Sequence, residues 1–266
     1  MLSAPEITRY SRNILLSEVG RKGQEKLKAS VVTVVGAGGL GSPVLFYLAA
    51  AGIGEIRIID SDKVDLTNLQ RQILYGTESI NKSKAEEASQ VITNLNSNIK
   101  IVTYNERLNA SNIEKIFAGS SLVIEGSDNF ETKFLVNDAC YFYKIPLMIA
   151  GILRFEGQVI GVKPEETACY RCIFHSPPDA DSVPNCAEAG VIGSVAGLVG
   201  SIQATESIKF LLGVEEGLFG SILSIDAKSM EFRKIPVHKN KNCPLCGTSP
   251  SITEIKDIVL PQCNWD

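Results

Sequence analysis

With 266 residues, 44% of them hydrophobic and 21% charged, the chain has apolar material for one large domain or two small ones, which excludes a disordered or coiled-coil chain. Its 26 Lys and Arg against 30 Asp and Glu give a net charge of −4, so no basic excess exists to hold a nucleic-acid backbone. The first six residues lack the charged-then-apolar pattern of a secretory leader, and the most apolar long run, residues 191–214, is broken by Gln203, Glu206 and Lys209. A cytoplasmic chain is expected, with neither a membrane nor nucleic acid as partner.

Residues 31–35 form a short β-branched run, followed at once by Gly36-Ala37-Gly38-Gly39-Leu40-Gly41 and by a Leu- and Ala-rich stretch over 42–52. Strand, glycine turn and helix are predicted there, and residues 56–60 supply the second strand of a βαβ unit. The alternation continues with a helix over 82–95, a strand over 99–104, a helix over 111–117, a strand over 122–125, a helix over 131–143 and a strand over 147–150. That order predicts a doubly wound, Rossmann-like and mainly parallel α/β sheet. After Gly151 the pattern changes to a strand over 158–162, a cysteine-bearing loop, a helix over 193–212 and strands near 222–225 and 231–235. This second half reads as α+β appended to the same sheet. Residues 176–184 carry three prolines among small and acidic residues and predict a mobile loop.

Glycines 36, 38 and 41 make G-x-G-x-x-G between a predicted strand and helix, where bare N–H groups and a helix N-terminus can face a phosphate. The plainer alternative is a turn that only packs helix on strand. Asp60 closes the second strand 19 residues past Gly41, where a carboxylate can accept hydrogen bonds from ribose hydroxyls. A dinucleotide and ATP would both use these residues. Asn68-Leu69-Gln70-Arg71-Gln72 and Lys84 then crowd cations just beyond the ribose position, which suits a triphosphate better than a hydride carrier. Asp128, directly after the strand over 122–125, is either a Mg²⁺ ligand at a carboxyl strand end or the N-cap of the next helix.

Cys169-Tyr170-Arg171-Cys172 and Cys243-Pro244-Leu245-Cys246 are two Cys-x-x-Cys knuckles separated by 70 residues. Four thiolates match a closed tetrahedral Zn²⁺ site with no open position, so the metal is assigned to structure and not to catalysis. Cys186 stands apart, between the proline-rich loop and a predicted helix. It reads either as an exposed nucleophile whose pKa a helix N-terminus would lower or as an inert small residue. Cys140, Cys263, His175 and His238 have no supporting context.

These residues together resemble the bacterial MoeB/ThiF adenylyltransferases, relatives of the ubiquitin-activating enzymes. The resemblance runs nearly end to end and is carried by Arg9-Tyr10-Ser11-Arg12, Gly36 to Gly41, Asp60, Asn68 to Gln72, Lys84, Ser127-Asp128-Asn129, both knuckles and Cys186-Ala187-Glu188-Ala189-Gly190. It implies an enzyme in which the C-terminal glycine carboxylate of a small ubiquitin-like sulfur-carrier protein, ending in Gly-Gly, attacks the α-phosphate of ATP and releases pyrophosphate. By that resemblance Gly36, Gly38, Gly39 and Gly41 cradle phosphate and Asp60 binds ribose. Thr67, Asn68, Leu69, Gln70, Arg71 and Lys84 serve the triphosphate, and Asp128 binds Mg²⁺ with Asn129 beside it. Arg12 reaches into the partner's site across a homodimer, and Cys186 links to the activated carrier.

One family domain over 1–266 is therefore expected, with an ATP-binding half over 1–150, a zinc and carrier-binding half over 151–246 and a tail over 247–266. No rhodanese-like sulfurtransferase domain is expected, and sulfur is expected to come from a separate donor protein. The carrier is assigned to molybdenum cofactor biosynthesis, with a thiamine-pathway carrier as the alternative. An NAD-dependent oxidoreductase, a non-catalytic scaffold and an adenylating enzyme acting on a tRNA-modification substrate are the remaining readings.

Overall fold

The computed structural model describes residues 1–178 and 190–260. Three short helices, α1 (Ala4–Arg9), α2 (Ser11–Ile14) and α3 (Gly20–Ala29), precede the βαβ unit. A capping box opens α1: the Ser3 hydroxyl accepts from the Glu6 N–H, and the Glu6 carboxylate accepts from the Ser3 N–H.

Strands and helices then alternate as β1 (Val31–Val35), α4 (Gly41–Ala51), β2 (Glu55–Ile59), α5 (Lys84–Leu95), β3 (Lys100–Tyr104), α6 (Ile113–Phe117), β4 (Leu122–Glu125), α7 (Phe130–Phe142) and β5 (Leu147–Leu153). The second half contributes β6 (Glu156–Val162), α8 (Tyr170–Ile173), α9 (Gly193–Leu212), β7 (Ser221–Asp226) and β8 (Glu231–Pro236). One eight-stranded sheet results, in the order β3-β2-β1-β4-β5-β6-β7-β8. Its first five strands are parallel and the last three run antiparallel. Strand order reverses between β1 and β4, the place where open α/β sheets bind ligands beyond their carboxyl ends.

Two cores cover the two faces of the sheet. Leu27 of α3, Leu45 and Leu48 of α4, Ile92 of α5 and Val199 of α9 pack with Val32, Val34, Ile56 and Ile58. On the other face Ile113, Phe117, Phe134 and Leu245 pack with Val35, Val123 and Ile149. Each such side chain contributes about 1.5–3 kcal/mol on burial, so the central strands are held from both sides. α4 is apolar nearly all round because α9 covers the side that the sheet does not. No helix among the described residues is long and apolar enough to cross a membrane. In α9 the reason is visible at Gln203, fully buried, whose amide donates to the carbonyls of Glu125 (2.7 Å) and Met148 (3.0 Å) under β4 and β5.

Where boundaries differ from the pattern, local hydrogen bonds decide. α5 starts at Lys84 because Ser83 accepts from the Glu86 N–H as N-cap. α6 starts at Ile113 because the Asn109 side chain engages the N–H groups of Ser111 and Asn112. β5 runs past Ala150 to Leu153 because it pairs with β6 in a hairpin turned at Arg154 and Phe155, with Arg154 at φ +55°.

Candidate active site

At the end of β1, Gly36 turns with φ +90°, a conformation side chains rarely adopt. A Cβ on Gly41 would lie 2.0 Å from the Gly36 carbonyl oxygen, so the turn closes onto α4 only with glycine there. Asp60 ties this turn to β2: its carboxylate accepts the Ala37 N–H at 2.8 Å and the Asp62 N–H at 2.9 Å. Burial pushes the Asp60 carboxyl above its ordinary range, against the pull of Lys84 and the two amides. Below the turn, the buried Tyr75 hydroxyl sits 2.8 Å from the Ala37 carbonyl and 3.2 Å from that of Lys84.

Lys84 is only 6% exposed and its ammonium meets the Asp62 carboxylate at 2.9 Å. A buried cation at the first residue of a helix works against the macrodipole, so packing alone gives no reason for lysine here. After β4, the fully buried Glu125 pairs with Lys133 at 2.6 Å. The same ammonium donates to the carbonyls of Ser127 (2.8 Å) and Ala150 (2.6 Å), while the Ser127 N–H and hydroxyl both donate to Glu125. Every proton of Lys133 is used, and the loop after β4 is clamped between β4, α7 and β5.

Asn129 accepts the Thr132 N–H at 2.8 Å and is the N-cap of α7. Asp128 is thereby excluded from the capping role. Its carboxylate is exposed and has no polar partner among the described residues.

A cleft of about 920 Å³ opens over the carboxyl ends of β1, β2 and β4. Of the residues expected from sequence, Gly36, Gly38, Gly39, Asp60, Arg71, Lys84, Asp128 and Asn129 line it. Gly41 stands behind the turn as the first residue of α4, and Thr67, Asn68, Leu69 and Gln70 lie outside the lining, in the turn after β2. That turn still positions the site, because Arg71 Nη1 donates to the Thr67 carbonyl at 3.1 Å. Arg12 is exposed on α2 and does not line the cleft of its own chain. Cys186, the expected nucleophile, lies outside the described residues, as does most of the proline-rich loop.

Several residues of the lining carry no site signal in the sequence. Gln72 is 4% exposed beside Gly38, and its Oε1 is buried without a hydrogen-bond partner. Lys133 forms part of the wall, as do Glu106 to Leu108 after β3 and Gly151, Leu153 and Gln158 along the β5–β6 hairpin. Gln72 was legible only as the end of a polar run, and Lys133 only as a cation eight residues past a strand-end carboxylate.

The four knuckle cysteines converge at the edge of the cleft. All four sulfurs lie within 4.8 Å of one another, with Sγ–Sγ distances of 3.6 Å from Cys169 to Cys243 and 3.3 Å from Cys172 to Cys246. A tetrahedral zinc with bonds of about 2.3 Å sets its sulfurs just under 4 Å apart, and the Cys169–Cys172 (3.9 Å) and Cys169–Cys246 (3.4 Å) separations also match, so the cluster can hold Zn²⁺. Backbone N–H groups also point at sulfur, Asn240 to Cys172 at 3.4 Å and Cys246 to Cys243 at 3.5 Å, as second-sphere donors to thiolates. The first knuckle is docked on α7: Arg171 makes a two-pronged, buried ion pair with Asp138 (2.7 Å on each prong) under the Phe134 ring, and Asn137 accepts the Tyr170 N–H at 2.8 Å. Tyr170 and Phe174, on either side of Cys172, then form part of the cleft wall.

The chain matches the ThiF family model over residues 10–245. This chain belongs to the ThiF family. Over 257 residues it is 44% identical to the "SAMP-activating enzyme E1" of Haloferax volcanii, covering 97% of this chain and 94% of that protein. It is also 44% identical to the "Sulfur carrier protein adenylyltransferase" of Thermus thermophilus, with 95% of each covered. Among solved structures, E. coli MccB with ATP superposes with a TM-score of 0.78 at 25% identity, over 90% of this chain and 74% of that one. The expected fold, a Rossmann-like and mainly parallel sheet with an appended α+β half, is the fold observed, with the appended strands antiparallel, and the chain is an enzyme of that family.

Proposed function

We propose that this chain adenylates the C-terminal glycine carboxylate of a small ubiquitin-like sulfur-carrier protein, consuming ATP and releasing pyrophosphate. The observation that carries the reading is the convergence of the glycine turn, Asp60, the cations Arg71 and Lys84, and Asp128 on one cleft, in a family that includes a relative named for this activity. The turn's N–H groups at Gly38 and Gly39 receive phosphate and Asp60 takes the ribose hydroxyls. Arg71 and Lys84, backed by the 67–70 turn, face the triphosphate.

Asp128 fits a hard cation, since it offers a free carboxylate at the rim of the phosphate side. Bound Mg²⁺ there supplies charge neutralisation on the phosphates. A carrier carboxylate oxygen attacks the α-phosphorus, the bond to the β-phosphate oxygen breaks, and pyrophosphate leaves. A carboxylate is a weak nucleophile, so rate comes from in-line positioning and from the cations opposite the phosphates. The carrier's narrow glycine end enters along the β5–β6 hairpin, where Gly151 and Gly157 line the cleft wall.

In this reading the enzyme is a homodimer, with Arg12 of one protomer completing its partner's cleft, and the exposed Leu15 and Leu16 beside it are covered in that assembly. The four cysteines hold Zn²⁺. Cys186 then attacks the acyl carbon of the adenylate as a thiolate, AMP leaves, and a separate protein delivers sulfur. The carrier is assigned to molybdenum cofactor biosynthesis, the thiamine-pathway carrier being the alternative.

ATP–pyrophosphate exchange with Mg²⁺ tests this, using both carriers with and without the terminal Gly-Gly. Exchange that needs the intact tail and prefers the molybdopterin carrier is expected, and Cys186→Ala should retain it. No exchange with either carrier would leave a non-catalytic scaffold.

A further inference from the structure

Ile252, Ile255 and Ile258 recur every third residue after the second knuckle and pack against the core beneath α6 and α7. Among them the Asp257 carboxylate accepts the Ala110 N–H at 2.7 Å. Ala110 belongs to the loop between β3 and α6, which is organised by its own side chains. Asn112 accepts the Asn109 N–H at 2.9 Å and donates to the Arg107 carbonyl and the Glu106 carboxylate, each at 2.9 Å. Leu108, 7% exposed, anchors the loop in the core.

Arg107 and Leu108 line the main cleft on one side and a second cavity of about 260 Å³ on the other. That second cavity is closed by Asp257 and Ile258 of the tail and by Glu131 and Thr132 in the first turn of α7. The tail therefore stands directly behind two cleft walls, the loop after β3 and the start of α7 that follows Asp128.

We propose that the 252–258 segment is a brace for the base-binding wall of the nucleotide site, with Asp257 as its positioning residue. The inference rests on the ribose role given to Asp60 above. Asp60 ends β2, and β3 is the strand next to β2 at the sheet edge. A nucleotide held by its ribose at Asp60, with its phosphates on the glycine turn toward β1 and β4, extends its base toward the loop after β3. Arg107 and Leu108 are the side chains that loop gives to the cleft. The Asp257 hydrogen bond goes to that loop at Ala110 and not to the start of α7, so this one contact acts on nucleotide affinity rather than on the phosphate and carrier ends of the site.

Asp257→Ala in the full chain tests the brace. The KM for ATP should rise roughly fivefold, the factor carried by one net hydrogen bond, with kcat and the KM for carrier unchanged. Calorimetric binding of ADP without carrier should weaken by the same factor, and Asp257→Asn, which keeps the acceptor oxygen, should restore both. Ile255→Ala with Ile258→Ala should move ATP in the same direction and further. Unchanged nucleotide binding in Asp257→Ala overturns the brace, and so does a parallel loss of kcat, carrier affinity and thermal midpoint, which would mark a merely structural contact. Absence of exchange in the wild-type chain would instead fail the adenylation reading, while the ADP measurement would still decide the brace.

Discussion

The two sides of the cleft are built on opposite rules. Around the cysteine cluster the buried polar groups of the described residues are matched: Arg171 with Asp138, Asn137 with the Tyr170 N–H, and backbone amides with Cys172 and Cys243. Around the glycine turn polar groups are left open. Asp128 has no partner among the described residues and Gln72 Oε1 is buried without one, while Lys84, though paired with the exposed Asp62 carboxylate, is a buried cation at the wrong end of a helix. Matched groups hold a shape, whereas open ones have a free energy of interaction still to be realised with a ligand. The comparison separates residues that should report on stability from those that should report on turnover.

The largest effect belongs to the matched side. With Zn²⁺ held as proposed, stripping it with a chelator, or substituting Cys243→Ser, should remove about 5 kcal/mol or more and lower the thermal midpoint by at least about 10 °C. Exchange activity should fall only in step with the folded fraction. Lost exchange at an unchanged midpoint would move the cluster into the chemistry and break the comparison.

Lys133 sharpens it, because this lysine belongs to the cleft wall but is fully matched. Lys133→Met leaves Glu125 buried without its counter-charge, and denaturant unfolding should show a loss of about 3–5 kcal/mol. Asp128→Ala is the converse. An exposed, unpaired carboxylate should leave stability within about 0.5 kcal/mol, while exchange falls by about 10²–10³-fold. If Asp128→Ala destabilised the fold and Lys133→Met did not, matched and open would have the wrong assignments.

The same distinction explains what could be read from the chain. The strand, glycine turn and helix around Gly36 to Gly41 were legible because local sterics admit few alternatives there, and the two Cys-x-x-Cys pairs because thiolate spacing is itself chemistry. The fold's parallel half followed from alternation and an appended α+β half from the change after Gly151, but the antiparallel direction of β6 to β8 was not legible there. Helices α1 to α3 went unread even though Ser3 and Glu6 carry a capping-box signature: α1 and α2, with six and four residues, are too short to show a helical period, and α3 is mostly polar with two glycines. Gln72, Lys133 and Asp257 were not legible as site residues because their meaning lies in contacts across the chain: Gly38, the Glu125 and Ala150 strand ends, and Ala110. Asp128 was half legible: the observed Asn129 cap removes its capping alternative, and its role toward Mg²⁺ stays part of the proposal.

Asp60 gives the smallest and most discriminating effect, since it is both matched and exposed to a ligand. Burial raises its carboxyl pKa in the folded, empty enzyme, so the folded chain holds a proton that the unfolded chain has released between the ordinary and the raised value. In that window stability falls as pH rises, and acidification should favour the empty fold. Nucleotide binding has the opposite sign. An ionised carboxylate accepts from ribose hydroxyls more strongly than a protonated one, so affinity should weaken as pH falls through the raised value, by less than about tenfold. Calorimetric ADP titrations across the acid range should therefore lose affinity above the ordinary carboxylate range while the thermal midpoint of the empty enzyme gains. Asp60→Asn should flatten both profiles. A pair of curves moving in the same direction would mean that Asp60 serves the turn alone, through the Ala37 and Asp62 amides, and that the ribose contact lies elsewhere in the cleft.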